Sequence, residues 1–241
     1  ATDYNLEKLD FDRTINPGEK CKTILDKAIK YSSAQIEQKH LKEFQPVFNR
    51  VKLRLGSDSL INLPTDKRLE LVKNGGADNG LMALYFQYGR YLLMSSSRKP
   101  GVLPANLQGI WNKDFNAAWN SDFHTNINLQ MNYWLAENCN LPEASLILSR
   151  FMQKIAGPGA VTAKEMYGTK GWTLHHLTDP FGRTGVADGV WGITPMNGPW
   201  MTFPVYEHFL FTGDTSFLKN IAYPLLKGSA EFVLGFLTKS P

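Results

Sequence analysis

The chain has 241 residues and a formal net charge of +4, with 43% hydrophobic and 20% charged residues. That balance excludes an intrinsically disordered chain and reads as globular. No apolar run reaches the roughly 20 residues that a membrane-crossing helix needs. Lys and Arg are dense over residues 19–54, but no nucleic-acid-binding module accompanies them, so they read as a solvated helical face. Cys21 and Cys139 lie far apart and lack metal-ligand spacing. They are expected to be two buried free thiols rather than a disulfide framework. The chain opens at Ala1 without Met or a signal-peptide pattern, as a processed or excised start would.

Along the chain, residues 1–17 are polar and irregular. Residues 19–48 carry helical spacing, with Ile24, Ala28 and Tyr31 on one face and Ile36, His40 and Phe44 on another; Pro46 is expected to stop the run. Val51, Leu53 and Leu55 alternate with Lys52 and Arg54, which predicts a short extended piece. A helix opens at Thr65 or Asp66 and ends before Gly75-Gly76. Residues 78–96 form the clearest helix, and its ring of Tyr85, Phe86, Tyr88 and Tyr91 predicts burial on several sides. Further helices are expected near 127–137, 142–156, 197–212 and 222–238, with Pro142 and Pro224 in first turns. Two long loops, 98–123 and 168–195, separate them, and loops of that length are usually functional. Strand signals are scarce. The pattern is all-α, with long rim loops that build a site.

Residues 101–134 hold seven Asn, three Trp, one His, two Asp and no Glu. Amides donate and accept in a fixed plane, and indole faces cover the C–H faces of a ring. A hydroxyl-rich neutral ligand, a sugar, suits that mixture. In HTNIN, His124, Asn126 and Asn128 lie at i, i+2 and i+4. An extended backbone puts such residues on one face, where two amide oxygens are able to hold one water. The competing reading is that Thr125 or Asn126 caps the following helix. Trp111, Trp119, His175, His176, Trp200 and Glu207 complete the candidate ligand contacts. His175-His176 with Asp179 lacks the spacing of a metal site, so neither metal nor cofactor is expected. No nucleotide-binding or nucleophile-elbow motif occurs.

The runs LMALYFQYGRYLLMSSSRKPGVLPANLQGIWN, SDFHTNINLQMNYWLAENCNLPE, TAKEMYGTKGWTLHHLTDPFG, PVYEHFLFTGDTSFL and YPLLKGSAEFVLGFL resemble glycoside hydrolase family 95, over residues 45–238. The resemblance implies an (α/α)6 toroid, with residues 1–45 as linker helices and 46–241 as the first, incomplete part of the toroid. It implies an inverting hydrolase of terminal α-1,2-linked L-fucose, in which Asn126 and Asn128 hold the attacking water and His124 contacts the sugar. The family's general acid and assisting Asp fall after residue 241, so the isolated chain is expected to be inactive. It is then a fragment that lacks the rest of its toroid, or one that self-associates, with exposed helix faces around Phe86 and Phe232. An α-L-galactosidase and a catalytically silent carbohydrate-binding fragment are the alternatives. Phe181 and Tyr206 stand where the family carries Trp, and Asn197 where it carries Gly. The expected partner is an oligosaccharide, not nucleic acid or membrane. A periplasmic or secreted location follows from the resemblance alone.

Overall fold

The computed structural model describes residues 5, 6, 12, 14–57 and 59–237. Most of the polar 1–17 stretch and the last residue of the helix expected at 222–238 lie outside the described residues.

Two helices lead the chain. In α1, Pro17–Ala28, the Asn16 side chain accepts from the amides of Gly18 and Glu19. In α2, Ser33–Phe48, Ser32 and Gln35 form a capping box. Capping at Ser32 is why the helical run over 19–48 breaks in two: a new N-terminus satisfies its own free amides there. Pro46 does not stop α2 but lies inside it. The domain boundary expected between residues 45 and 46 falls within this same helix. Arg90 holds the end of α2. Its guanidinium, 0% exposed, donates to the carbonyls of Phe48 (2.8 Å) and Val47 (3.2 Å), which the helix itself leaves without partners. The alternating piece at 51–55 forms no strand, and Gln87 of the next long helix and Arg90 bond the Val51 carbonyl instead.

Helix α3, Thr65–Lys73, starts after Pro64 without a side-chain cap. Helix α4, Asn79–Ser96, is capped by Asp78, which accepts from the Leu81 amide. Its expected all-round burial is not seen. Leu81, Arg90, Leu93 and Met94 face inward, whereas Tyr85, Tyr88 and Tyr91 are exposed. Phe86 is half-buried and Phe232 fully buried, so the exposed aromatic face lies around the three tyrosines. Helix α5, Asn128–Tyr133, is shorter than the expected 127–137. Helix α6, Pro142–Tyr167, is longer than 142–156 and runs through Pro158. It is followed by α7, Asn197–Thr212, and α8, Thr215–Phe217. A π turn, Leu218–Ala222, leads into α9, Tyr223–Phe236.

The core lies where α6, α7 and α9 pack together. Ile147, Leu148, Phe151, Met152 and Ile155 form the inward stripe of α6, and Met201, Val205 and Leu225 meet it from the other two helices. Each such side chain contributes about 1.5–3 kcal/mol by leaving water. The loop after α6 is clamped against this core. The Trp172 indole donates to the Leu225 carbonyl at 2.9 Å, the Trp172 amide to Gly228, and the Thr173 amide to Gly159. Gly171 has φ +80°, and a Cβ there would lie 1.9 Å from the Gly228 carbonyl. Only glycine fits that close approach. The clamp fixes where the next residues, Leu174 to Thr178, run along the core.

Of the two cysteines, Cys139 is buried as expected, but Cys21 is exposed, because α1 buries none of its residues. No described helix is long and apolar enough to cross a membrane.

Candidate active site

The site is built on a two-stranded ribbon that local sequence signals do not announce. Strand β1, Phe123–His124, pairs antiparallel with β2, Leu177–Thr178, in the register Phe123↔Thr178 and His124↔Leu177. The Thr125 amide extends the ladder to the His176 carbonyl (2.8 Å), and the Thr125 hydroxyl donates to the His175 carbonyl (2.5 Å). Thr125 is therefore spent on the ribbon and does not cap α5, which has no side-chain cap.

From this anchor the chain passes Asn126, exposed, and enters α5 at Asn128, half-buried. Leu129, Gln130 and Tyr133 root the short helix in the core, and the Gln130 amide donates to the Thr125 carbonyl at 2.6 Å. Neither Asn126 nor Asn128 uses its amide in a hydrogen bond among the described residues. Two amides held on a rigid support and left unpaired are available to a ligand or a water.

His124 is flanked by two rings. Trp119 meets it edge-on at 6.1 Å between centroids, and His176 does so at 6.2 Å. Trp119, Asn120 and Ser121 all have left-handed φ, 54°, 53° and 52°. Such a backbone costs about 1–2 kcal/mol per non-glycine residue. It is held by the Asp122 amide on the Trp119 carbonyl and by the Ser121 hydroxyl on Asn106. The result projects the Trp119 indole, 77% exposed, beside His124. Strain kept in place this way is typical of functional sites. Burial lowers the His124 pKa below its usual 6.5, against the pull of Asp122, so the ring is neutral at pH 7. A neutral imidazole both donates to and accepts from a hydroxyl. Burial likewise raises the Asp122 carboxyl.

The family model of the glycosyl hydrolase family 95 catalytic domain matches residues 32–241. The chain belongs to that family. It is 40% identical over 235 residues to alpha-L-fucosidase 2 of Arabidopsis thaliana, covering 95% of this chain and 28% of the relative. It is 39% identical over 228 residues to a probable alpha-fucosidase A of Aspergillus niger, covering 93% of this chain and 28% of that relative. The family 95 match agrees with the all-α fold, which corresponds to part of an (α/α)6 toroid.

Within this family 95 segment, the residues picked out from sequence fall into four places. His124, Trp119 and His176 form one cluster with Asn126 and Asn128 beside it in the chain. His175 lies behind that cluster, 0% exposed. Its Nδ1 accepts from the Thr194 amide at 3.1 Å, so Nε2 carries the proton and donates to the Tyr167 hydroxyl at 3.1 Å. With both nitrogens engaged, His175 supports the ribbon from within. Trp200 and Glu207 line a recess of about 420 Å³ with Trp134, Phe203, Tyr206 and Gln130. Gln130, through its bond to Thr125, joins that recess to the HTNIN segment. Trp111 lies elsewhere, in a recess of about 440 Å³ between α4, α5 and the loop around Gln108.

One residue of the second loop, Asp188, joins the cluster unannounced. Asp188 Oδ2 lies 3.0 Å from His176 Nε2. Gly192 permits this: a Cβ there would lie 1.7 Å from the Ala187 carbonyl and 2.8 Å from His176 Cε1. The richness of this loop in Gly, His, Asp and Trp is the sequence signal that points to it. No group of three metal-ligating side chains occurs among the described residues.

Proposed function

We propose that this chain carries the substrate- and water-binding part of an inverting glycoside hydrolase that removes terminal α-1,2-linked L-fucose from oligosaccharides. The observation that carries the reading is the unpaired amide pair, Asn126 and Asn128, following a ribbon that fixes His124 beside an exposed indole. Two amide oxygens that accept both protons of one water turn a lone pair of that water towards the anomeric carbon. No ionised group is needed at that spot. His124, neutral and between two rings, suits a sugar hydroxyl, and Trp119 suits the apolar face of the ring. Inversion keeps acid and base roughly 6.5–9.5 Å apart so that a water fits between them. The general acid is assigned to a segment beyond this one. The chain spans about 28% of the length of the curated relatives it matches, both named as fucosidases.

The test is product analysis by NMR with the full-length protein and an α-1,2-fucosylated oligosaccharide. First release of β-L-fucose supports the reading. First release of α-L-fucose contradicts inversion, and preferential release of L-galactose from the matching galactoside moves the substrate to that sugar. The two sugars differ by a C6 hydroxyl, which a site discriminates strongly only when it hydrogen-bonds that group.

A further inference from the structure

We infer that Asp188 is a positioning residue of this site: it holds the His176 imidazole, and through it the His124 imidazole, in one orientation towards the sugar. The inference rests on the proposed function and extends it to a side chain in the second long loop.

The backbones of His124 and His176 are fixed by the ribbon, so ring rotation is the freedom left to each. Asp188 removes that freedom at His176. Its Oδ2 lies 3.0 Å from Nε2. A carboxyl oxygen at this distance accepts, so Nε2 is the donor of this bond. Nδ1 is buried without a hydrogen-bond partner among the described residues, so the Asp188 bond is the polar anchor of the ring there. The His176 ring in turn stands edge-on to His124 at 6.2 Å, and His124 stands edge-on to Trp119 at 6.1 Å. Rotation of His176 therefore disturbs the ring that faces the ligand.

Stability does not account for Asp188. Its side chain is 68% exposed, and a hydrogen bond from so exposed a carboxylate stabilises a fold little. Its backbone is left-handed, φ 57°, which is costly for a residue with a Cβ. The turn is nevertheless pressed onto the His176 ring, since a Cβ on Gly192 would come within 2.8 Å of Cε1. A strained, solvent-facing carboxylate aimed at a largely buried imidazole is explained by orientation of the ring.

The experiment compares wild type, Asp188→Ala and Asp188→Asn in the full-length protein, by kinetics on an α-1,2-fucosylated oligosaccharide and by 15N NMR of His176. Asp188→Ala is expected to raise KM about tenfold with kcat nearly unchanged, the pattern of binding lost equally from ground and transition states. Asp188→Asn keeps an acceptor oxygen for Nε2–H and is expected to recover most of the affinity. The 15N spectrum is expected to show the Nε2–H tautomer in wild type and a mixture in Asp188→Ala. A folded Asp188→Ala with unchanged KM and an unchanged His176 tautomer overturns the inference. If Asn126→Ala abolishes turnover in that case, the proposed function stands without it. If wild type releases no fucose, the proposed function fails, and the tautomer measurement still decides whether Asp188 orients His176.

Discussion

His208 Nδ1 lies 2.7 Å from Glu137 Oε1, and the two side chains are only 7% and 5% exposed. This bond ties α7 to the turn after α5, and Phe217 meets the His208 ring edge-on at 4.5 Å. Glu207, the next residue back in α7, looks instead into the aromatic recess. One turn of helix thus carries a structural side chain and a candidate ligand contact on different faces.

Removing either partner leaves the other buried without its bond. Glu137→Ala is expected to cost about 1.5–3 kcal/mol of stability, as for hydrogen bonds to charged groups. Urea unfolding measures it. A double-mutant cycle with His208→Ala is expected to return a coupling of about 1–3 kcal/mol, and additive effects would refute a direct interaction.

Asp78 gives a pH dependence with a definite sign. Two hydrogen bonds from Arg68, at 2.7 and 2.8 Å, together with the Leu81 amide, hold its carboxyl down from 3.8 to about 2. A carboxyl whose pKa is lower in the folded state stabilises the fold above its unfolded pKa. That stability is lost as pH falls from about 3.8 through about 2. Thermal unfolding midpoints between pH 5 and pH 2 (roughly the span over which such a carboxyl protonates) are expected to fall more steeply in wild type than in Asp78→Asn.

Gly192→Ala places a methyl group where the Ala187 carbonyl and the His176 ring already lie. The turn that carries Asp188 must move away from the ring. The expected outcome is a stability loss of about 1–3 kcal/mol, as for overpacking, with weaker binding of the fucosylated oligosaccharide. Calorimetric titration and thermal unfolding separate the two effects.

The cysteines are expected to label in two phases. Cys21 is exposed, whereas Cys139 is buried and its thiol pKa is raised by that burial. A thiol-reactive reporter is expected to modify Cys21 quickly and Cys139 only on unfolding. Cys21→Ser is expected to remove the fast phase.

The elements that local spacing reveals are the ones built from local interactions. Helix α4 follows from the apolar periodicity over residues 78–96 and starts at the Asp78 cap, and α7 begins and ends at the expected residues. Where distant residues decide, the sequence was mute or misleading. Helix α6 runs on past 156 through Pro158, and there Gly159 packs against Thr173 and accepts from its amide, a contact between distant residues. Tyr85 and Tyr88 were expected to be buried, yet no described element covers them. The HTNIN segment was legible through residue type and spacing. Its support was not: two-residue strands paired across 53 and 55 positions, and the bond between His176 and Asp188, have no local pattern. Trp111 matched the composition expected of a ligand site, but composition does not say which recess a ring enters.

The most direct measurement is turnover of an α-1,2-fucosylated oligosaccharide by the full-length protein carrying both Asn126→Ala and Asn128→Ala. If the two amides hold the attacking water, kcat falls by about 10²–10³, a barrier increase of about 2.7–4 kcal/mol comparable to the loss of other preorganised polar groups. Near-normal kcat in a correctly folded double variant would contradict the account.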